Sequence, residues 1–172
     1  MTVGAAGKPE SPRKMRRSMS SVSSLPRDDF QEQCLTAHNK VRAQHQGQPL
    51  TFSDDLLTAA KNWAETLAER GFLQHSESQS YGENIMITDE DISAEEVVER
   101  WAAEEEKYDY DQARWQKGTT HFTQMVWRIS TEFGIYKTKM TKKDRYVIVA
   151  TYKALGNTNR PGDYSKNVLP KE

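Results

Sequence analysis

A chain of 172 residues is long enough for one domain of ordinary size with a hydrophobic core. Its formal net charge is −1, but residues 1–27 carry +5 and residues 28–172 carry −6. The acidic body lacks any known nucleic-acid-binding motif, which argues against nucleic acid as a partner. No stretch approaches the roughly 20 apolar residues of a membrane span.

The first 27 residues are rich in Ser, Gly and Pro, so we expect residues 1–27 to form a disordered basic tail. The tail lacks the apolar run of a secretory signal and the Met-Gly start that N-myristoylation requires. Ser18 and Ser20 follow a basic cluster, where a kinase acting on basic motifs could phosphorylate them. A solvated linker without a partner is the alternative.

Cys34 is the only cysteine, so this sequence cannot form an intrachain disulfide. It also contains no Asn-x-Ser/Thr acceptor for N-glycosylation. Both absences fit a reducing compartment, and we expect a cytoplasmic protein that is not secreted.

Two helices are predicted in the first half of the domain. The first begins at Asp28 and ends before Gly47, and its face includes His38, which we interpret as a core histidine. The second is capped by Ser53 or Asp54, and its apolar stripe ends at a glycine. Residues 87–92 are predicted to form an acidic surface loop.

A third helix begins at the capping-box pattern of Ser93 and Glu96. At 100° per residue, Glu104 lies within about 60° of Trp101 and of the other apolar positions on that helix. A carboxylate there costs several kcal/mol unless it is paired, hydrogen-bonded or metal-bound. Chance placement in a Glu-rich helix is the alternative, but Glu104 is a candidate functional residue on chemical grounds alone.

His121 is predicted to stand at the entry of a short apolar helix that extends towards Ile129, with Thr119 and Thr120 capping its free N–H groups. A neutral imidazole there could bind a metal or act as a base. A core histidine that is hydrogen-bonded to the backbone is the alternative. The C-terminal third is predicted to contain two strands, of which 146–152 is β-rich enough to be central.

Four motifs, in order along the chain, resemble those of the CAP superfamily, which comprises cysteine-rich secretory, antigen 5 and pathogenesis-related 1 proteins. They are His-Asn-x-x-Arg at 38–42, Gly-Glu-Asn at 82–84, the run 121–130 and the run 147–157. Thr120 departs from the usual Gly or charged residue, and Ala150 stands where secreted members have cysteine. The closing segment 167–170 resembles the Golgi-associated plant pathogenesis-related subgroup.

The resemblance implies an α+β fold, a three-layer α-β-α sandwich with a mostly antiparallel central sheet, over residues 28–172. It also implies a cleft lined by two histidines and two glutamates that can hold a divalent metal, with weak, exchangeable Zn²⁺ as the expected cofactor. Carried over residue by residue, the metal-site residues are His75, His121, Glu83 and Glu104. The aromatic motif implied for lipid or sterol contact is Tyr108, Tyr110 and Trp115, with packing onto the domain as the alternative.

The function implied is reversible binding to anionic phospholipid or sterol, peripherally on Golgi or other cytosol-facing membranes. A basic tail strengthens such binding by roughly 1 kcal/mol per basic residue near an anionic surface. The alternative is a metal-dependent hydrolase, a protease or esterase, with Glu83 or Glu104 as base. No Gly-x-Ser-x-Gly or His-Glu-x-x-His motif supports an enzyme, and Ser76 beside His75 is the only hint of a serine nucleophile. A homodimer is a further assembly that the resemblance leaves open.

Overall fold

The computed structural model describes residues 25–172, so the tail prediction for residues 1–24 lies outside the described residues. The described elements are α1 (Asp29–Gln44), β1 (Thr51–Phe52), α2 (Asp54–Arg70), β2 (Gly82–Thr88), α3 (Ala94–Ala102), two short 3₁₀ helices (Ala103–Lys107 and Tyr110–Gln112), α4 (Thr120–Val126), β3 (Glu132–Lys139), β4 (Tyr146–Lys153) and α5 (Asp163–Asn167).

The sheet has the strand order β1-β3-β4-β2. Strand β4 pairs antiparallel with both β3 and β2, whereas the two-residue β1 pairs parallel with β3. One face of the sheet packs against α1, α3 and α4, and the other packs against α2. These layers confirm the α-β-α sandwich, and β4 is the central strand that its composition predicted.

Local capping signals fix the starts of the first three helices. Asp28 and Gln31 form a reciprocal capping box at α1, and Ser53 and Ser93 accept from backbone N–H groups at α2 and α3. Helix α2 ends at Gly71, whose φ of 80° is the left-handed conformation that favours glycine. These three helices therefore begin where the sequence predicted.

The buried polar residues of α1 tie that helix to the rest of the fold. The interpretation of His38 as a core histidine is confirmed: it is fully buried, and its ring nitrogens bond the Cys34 carbonyl at 2.8 Å and the Tyr152 hydroxyl at 2.6 Å. Arg42 is also fully buried and donates to carbonyls of the loop that follows α4, including that of Ser130 at 2.7 Å. Helix α1 is thereby fixed to both the sheet and α4.

Three residues that the sequence assigned to the tail lie within the described range. The backbone N–H of Leu25 donates to Asp54 at 2.9 Å, and the guanidinium of Arg27 lies 4.6 Å from the centre of the Phe52 ring. The described chain therefore contacts the domain from its first residues onward.

Two predicted boundaries were wrong. Residues 87 and 88 are the end of β2, where Ile87 pairs with Val147 and Thr88 with Tyr146, and Ile92 is buried, so 87–92 is not an acidic surface loop. Helix α4 ends at Val126, which leaves the Ile129 side chain 58% exposed. Pairing with β4 decides the first outcome, and after α4 the Ile129 N–H donates to Asn167 Oδ1 at 3.2 Å instead of continuing the helix.

Candidate histidine and glutamate cleft

The first candidate pair joins His121 to Glu104. Helix α3 gives way to a 3₁₀ helix at Ala103, and this tighter helix carries Glu104, whose side chain is 18% exposed. His121 Nδ1 donates to Glu104 Oε2 at 2.7 Å. The expectation that a carboxylate here needs a partner is confirmed, although the segment that carries it is 3₁₀ and not α-helical.

Glu104 also caps α4. Its Oε1 accepts from the backbone N–H groups of His121 at 2.9 Å and Phe122 at 3.1 Å. Thr119 precedes the helix, but its side chain makes no capping bond and donates to the Gln116 carbonyl instead. The prediction that the threonines cap this helix was therefore wrong, because a carboxylate from another element already occupies that position.

The His121 ring is held in place by its surroundings as well as by the carboxylate. It stacks on the indole of Trp101, with ring centres 5.8 Å apart and planes 12° from parallel. Asn84 Nδ2 donates to the His121 carbonyl at 3.0 Å and to the Tyr152 hydroxyl at 3.3 Å. Since Tyr152 bonds His38, a continuous polar chain runs from the core of α1 to the start of α4.

The second candidate pair joins His75 to Glu83. The Glu83 carboxylate is 5% exposed and accepts from Ser76 N–H at 2.9 Å, Ser76 Oγ at 2.5 Å and His75 Nδ1 at 3.3 Å. Burial alone would raise the pKa of Glu83, but hydrogen bonds from His75 and Ser76 outweigh it and hold the pKa below its usual value. Glu83 is therefore an ionised, fully hydrogen-bonded carboxylate at neutral pH.

The two pairs flank the start of β2. Glu83 bonds the His75 loop, whereas the next residue, Asn84, bonds the backbone of His121. Within residues 25–172, no three or more His, Cys, Asp or Glu side chains are grouped closely enough to hold a metal ion. The structure thus brings the four predicted residues together as two pairs and not as one cluster.

The hydrogen bonds decide how a divalent metal would fit. Both oxygens of Glu83 and both oxygens of Glu104 already accept hydrogen bonds. Because each imidazole donates from Nδ1, the Nε2 atoms of His75 and His121 keep the lone pairs that bind metals, and a carboxylate orients each ring. The donor set fits a divalent ion held by imidazole nitrogens, and metal binding by all four residues stays a prediction.

The predicted aromatic residues occupy different environments. Tyr108 is buried and packs edge-on against Tyr110, with ring centres 4.9 Å apart. The Tyr110 hydroxyl donates to Glu105 at 3.1 Å, and the ring lines a hollow of about 480 Å³ whose lining includes neither His75 nor His121. Trp115 is 52% exposed.

Sequence reasoning missed Ser76 and Asn84 as partners of the two pairs. Gly-Glu-Asn marked residue 84 as part of a motif, but no local signal could show that its amide spans His121 and Tyr152. Ser76 was considered only as a nucleophile beside His75. Its hydroxyl instead donates to Glu83.

Comparison with known proteins shows the family to which this chain belongs. Residues 35–152 match the family model described as CAP, the cysteine-rich secretory protein family. The match covers more than half of the chain, so the chain belongs to this family. Within the described range 25–172, no helix has the length and apolarity needed to cross a membrane.

Among individual relatives, Golgi-associated plant pathogenesis-related protein 1 of Homo sapiens is 35% identical over 144 residues, covering 82% of this chain and 93% of the relative. Venom allergen-like protein 4 of Schistosoma mansoni has a similar structure, with a TM-score of 0.64 at 21% identity over 78% of this chain and 94% of that one. NaASP2, solved with Zn²⁺, gives a TM-score of 0.64 at 20% identity over 87% of this chain and 91% of that one. Likeness to these two solved structures, at 21% and 20% identity, shows the fold alone.

Proposed function

We propose that this chain is a non-secreted CAP-domain protein that binds anionic lipid surfaces reversibly and holds a divalent cation such as Zn²⁺ in its histidine and glutamate cleft. The observation that carries the metal part is the pairing of each imidazole with a carboxylate through Nδ1, which leaves Nε2 as the donor atom. The neighbouring fold of NaASP2, solved with Zn²⁺, adds support.

The lipid part rests on the surface and on the charge distribution. Trp115 presents a large amphipathic ring to solvent, which suits the boundary between water and an apolar phase. Residues 1–27 carry a net charge of +5, whereas residues 28–172 carry −6. An anionic membrane therefore attracts the basic segment and repels the acidic body, and we expect the resulting binding to be reversible. The Golgi-associated relative and the single, buried Cys34 support a cytosol-facing Golgi or similar membrane as the location.

A bound divalent cation would supply Lewis-acid chemistry at this cleft. The chain's own residues orient the imidazoles and stabilise the cleft, and no specific contact favours the hydrolase alternative. Glu83 and Glu104 each accept three hydrogen bonds, so both carboxylates are held in place by the fold and orient the imidazoles. The Ser76 hydroxyl donates to Glu83 and not to an imidazole, so Ser76 and His75 do not form the Ser–His pair of a serine nucleophile.

Calorimetric titration with Zn²⁺ tests the metal part. We expect one weak site in the wild type and its loss in His75→Ala and in His121→Ala. Glu104→Gln should weaken affinity about 10- to 100-fold, because an orienting partner is lost while the ligands remain. Glu106→Gln, in the same 3₁₀ helix but exposed, is the matched control and should bind normally. Unchanged affinity in both histidine variants would refute the metal proposal.

Flotation with lipid vesicles tests the lipid part. Wild-type protein should bind vesicles that contain phosphatidylserine more tightly than neutral phosphatidylcholine vesicles, with and without sterol. Trp115→Ala should reduce binding without lowering the melting temperature, because the ring is exposed. Leu155→Ala, which truncates an exposed apolar residue in another loop, is the control. Equal binding of the wild type to both vesicle types would contradict the proposal.

A further inference from the structure

The loop that follows α2 presents two consecutive large apolar side chains to solvent. Gly71 ends the helix with a φ of +80°. Phe72 is 54% exposed and Leu73 is 50% exposed. Two adjacent side chains of this kind leave a continuous apolar tip uncovered, in contrast to the scattered single residues that are ordinary on protein surfaces.

This tip is held in place at both ends. Lys143 Nζ, from the turn between β3 and β4, donates to the Gly71 carbonyl at 2.8 Å. On the other side, Trp63 Nε1 donates to the Gln74 carbonyl at 2.9 Å. The loop that carries Phe72 and Leu73 is therefore already ordered. Inserting these two side chains into a binding partner would cost little additional conformational entropy.

Basic residues lie beside the tip, in the chain before it and in the turn that contacts it. Arg70 precedes it, and Lys142 and Lys143 lie in the turn that contacts Gly71. None of these three cations appears among the ion pairs of residues 25–172. Of the nearby acids, Asp144 is already paired with Lys139 at 2.8 Å and Glu69 lies in the last turn of α2. The local charge is positive although the body as a whole is negative.

We propose that Phe72 and Leu73 insert into the interface of an anionic lipid bilayer while Arg70, Lys142 and Lys143 contact its phosphate groups. This inference rests on the proposed lipid-binding function and adds which surface faces the membrane. Apolar side chains within a basic rim match the two layers of such an interface, acyl chains beneath anionic headgroups. A second copy of this chain is a poorer occupant, since two basic rims would repel each other.

Insertion also sets the orientation of the domain. His75 follows Leu73 by two residues and bonds Glu83, so the His75 side of the cleft would lie close to the headgroups. A ligand that leaves the bilayer could reach that side of the cleft without crossing bulk water.

Vesicle binding of paired variants tests the tip. Phe72→Ser/Leu73→Ser should lower the partition coefficient on phosphatidylserine vesicles about 10- to 30-fold, because both half-exposed apolar side chains lose their burial in lipid. Lys142→Gln should lower it about 5-fold at low salt, and Lys143 is left intact because it holds the loop through the Gly71 carbonyl. Lys40→Gln removes the same charge from an exposed position elsewhere and should change it less than about 2-fold. Melting temperatures verify that each variant is folded.

A fluorescent label gives a second, direct measurement. Leu73→Cys can be labelled selectively, since Cys34 is fully buried and burial raises the pKa of its thiol. An environment-sensitive fluorophore at position 73 should brighten and shift to the blue when anionic vesicles are added. The same label on Ile129→Cys, at another exposed apolar position, should not respond.

The outcomes separate this inference from the proposed function. If wild-type protein fails to bind anionic vesicles, the proposed function is refuted and this inference with it. If the wild type binds but the serine variant binds equally well, or the label at position 73 stays silent, only the inserting tip is refuted. A label response that requires high protein concentration and no lipid would assign the tip to self-association and would also overturn the inference.

Discussion

At the scale of single residues, His38 shows how burial determines the chemistry of a side chain. One ring nitrogen accepts a hydrogen bond from the Tyr152 hydroxyl, and the other donates a hydrogen bond to the Cys34 carbonyl. This is the pattern of a neutral imidazole. Burial lowers the pKa of His38 to about 4, against an ordinary value of 6.5. The histidine therefore remains uncharged in the folded protein at pH values where it is charged in the unfolded chain.

This difference predicts a loss of stability in mild acid. Between pH 6.5 and about 4 the unfolded chain binds a proton at His38 that the folded protein does not, so the free energy of unfolding falls as the pH falls through this window. The separation of the two pKa values corresponds to roughly 3 kcal/mol. Urea unfolding at pH 7 and pH 4.5 should show that a His38→Asn variant lacks most of this dependence.

A second buried substitution serves as the control for that experiment. Cys34→Ala removes the neighbouring thiol, whose pKa is raised by burial and which does not titrate in acid. This variant should be less stable than the wild type at every pH while keeping the wild-type slope. A His38→Asn slope equal to that of the wild type would show that the imidazole does not control the acid sensitivity.

At the scale of elements, the contact between α2 and the sheet depends on the absence of a side chain at Gly134. A Cβ atom built there would lie 2.4 Å from the Leu56 backbone carbon and 2.5 Å from the Leu57 nitrogen. The Thr151 hydroxyl also donates to the Leu56 carbonyl at 2.8 Å. Helix α2 thus begins directly against the central strands.

Gly134→Ala should therefore destabilise the protein by about 3 kcal/mol, because rigid backbone must move to accommodate a methyl group. Ile135→Val at the next, fully buried position should cost only about 1 kcal/mol and provides the comparison. Denaturant unfolding measures both values. A nearly neutral Gly134→Ala would mean that α2 can move away from the sheet without penalty.

The helices also show where sequence reasoning succeeds and where it does not. The starts of α1, α2 and α3 were predicted because a cap and its N–H partner are only three residues apart. The cap of α4 was not predicted, because Glu104 precedes His121 by 17 residues and reaches it only through packing. The resemblance to the family predicted that Glu104 and His121 share one cleft. The local sequence pattern could show only that Glu104 needs a partner.

At the scale of the whole molecule, charge is divided between a basic N-terminal segment and an acidic body. Residues 1–24 contain five basic residues and one acidic residue. The described contacts begin at Leu25, which bonds Asp54, and include Arg27 over Phe52. The fold and the proposed electrostatic attraction to membranes can therefore be tested separately by choosing where the chain is cut.

Deletion of residues 1–24 should weaken binding to anionic vesicles, most visibly at low salt, and leave the melting temperature nearly unchanged. Deletion of residues 1–27 should weaken binding similarly and also lower stability by about 1 kcal/mol, because the contacts of Leu25 and Arg27 are lost. Circular dichroism melts beside vesicle flotation distinguish the two. A large stability loss from the shorter deletion would place the boundary of the domain earlier in the chain.

The dual role of Glu104 makes two backbone hydrogens into reporters of the cleft. One oxygen of this carboxylate holds the amide hydrogens of His121 and Phe122, while the other holds the imidazole of His121. A movement of the Glu104 carboxylate away from the ring also frees those amides to exchange with solvent deuterium. Their exchange rates would therefore follow the orientation of a side chain that cannot itself be observed by amide exchange.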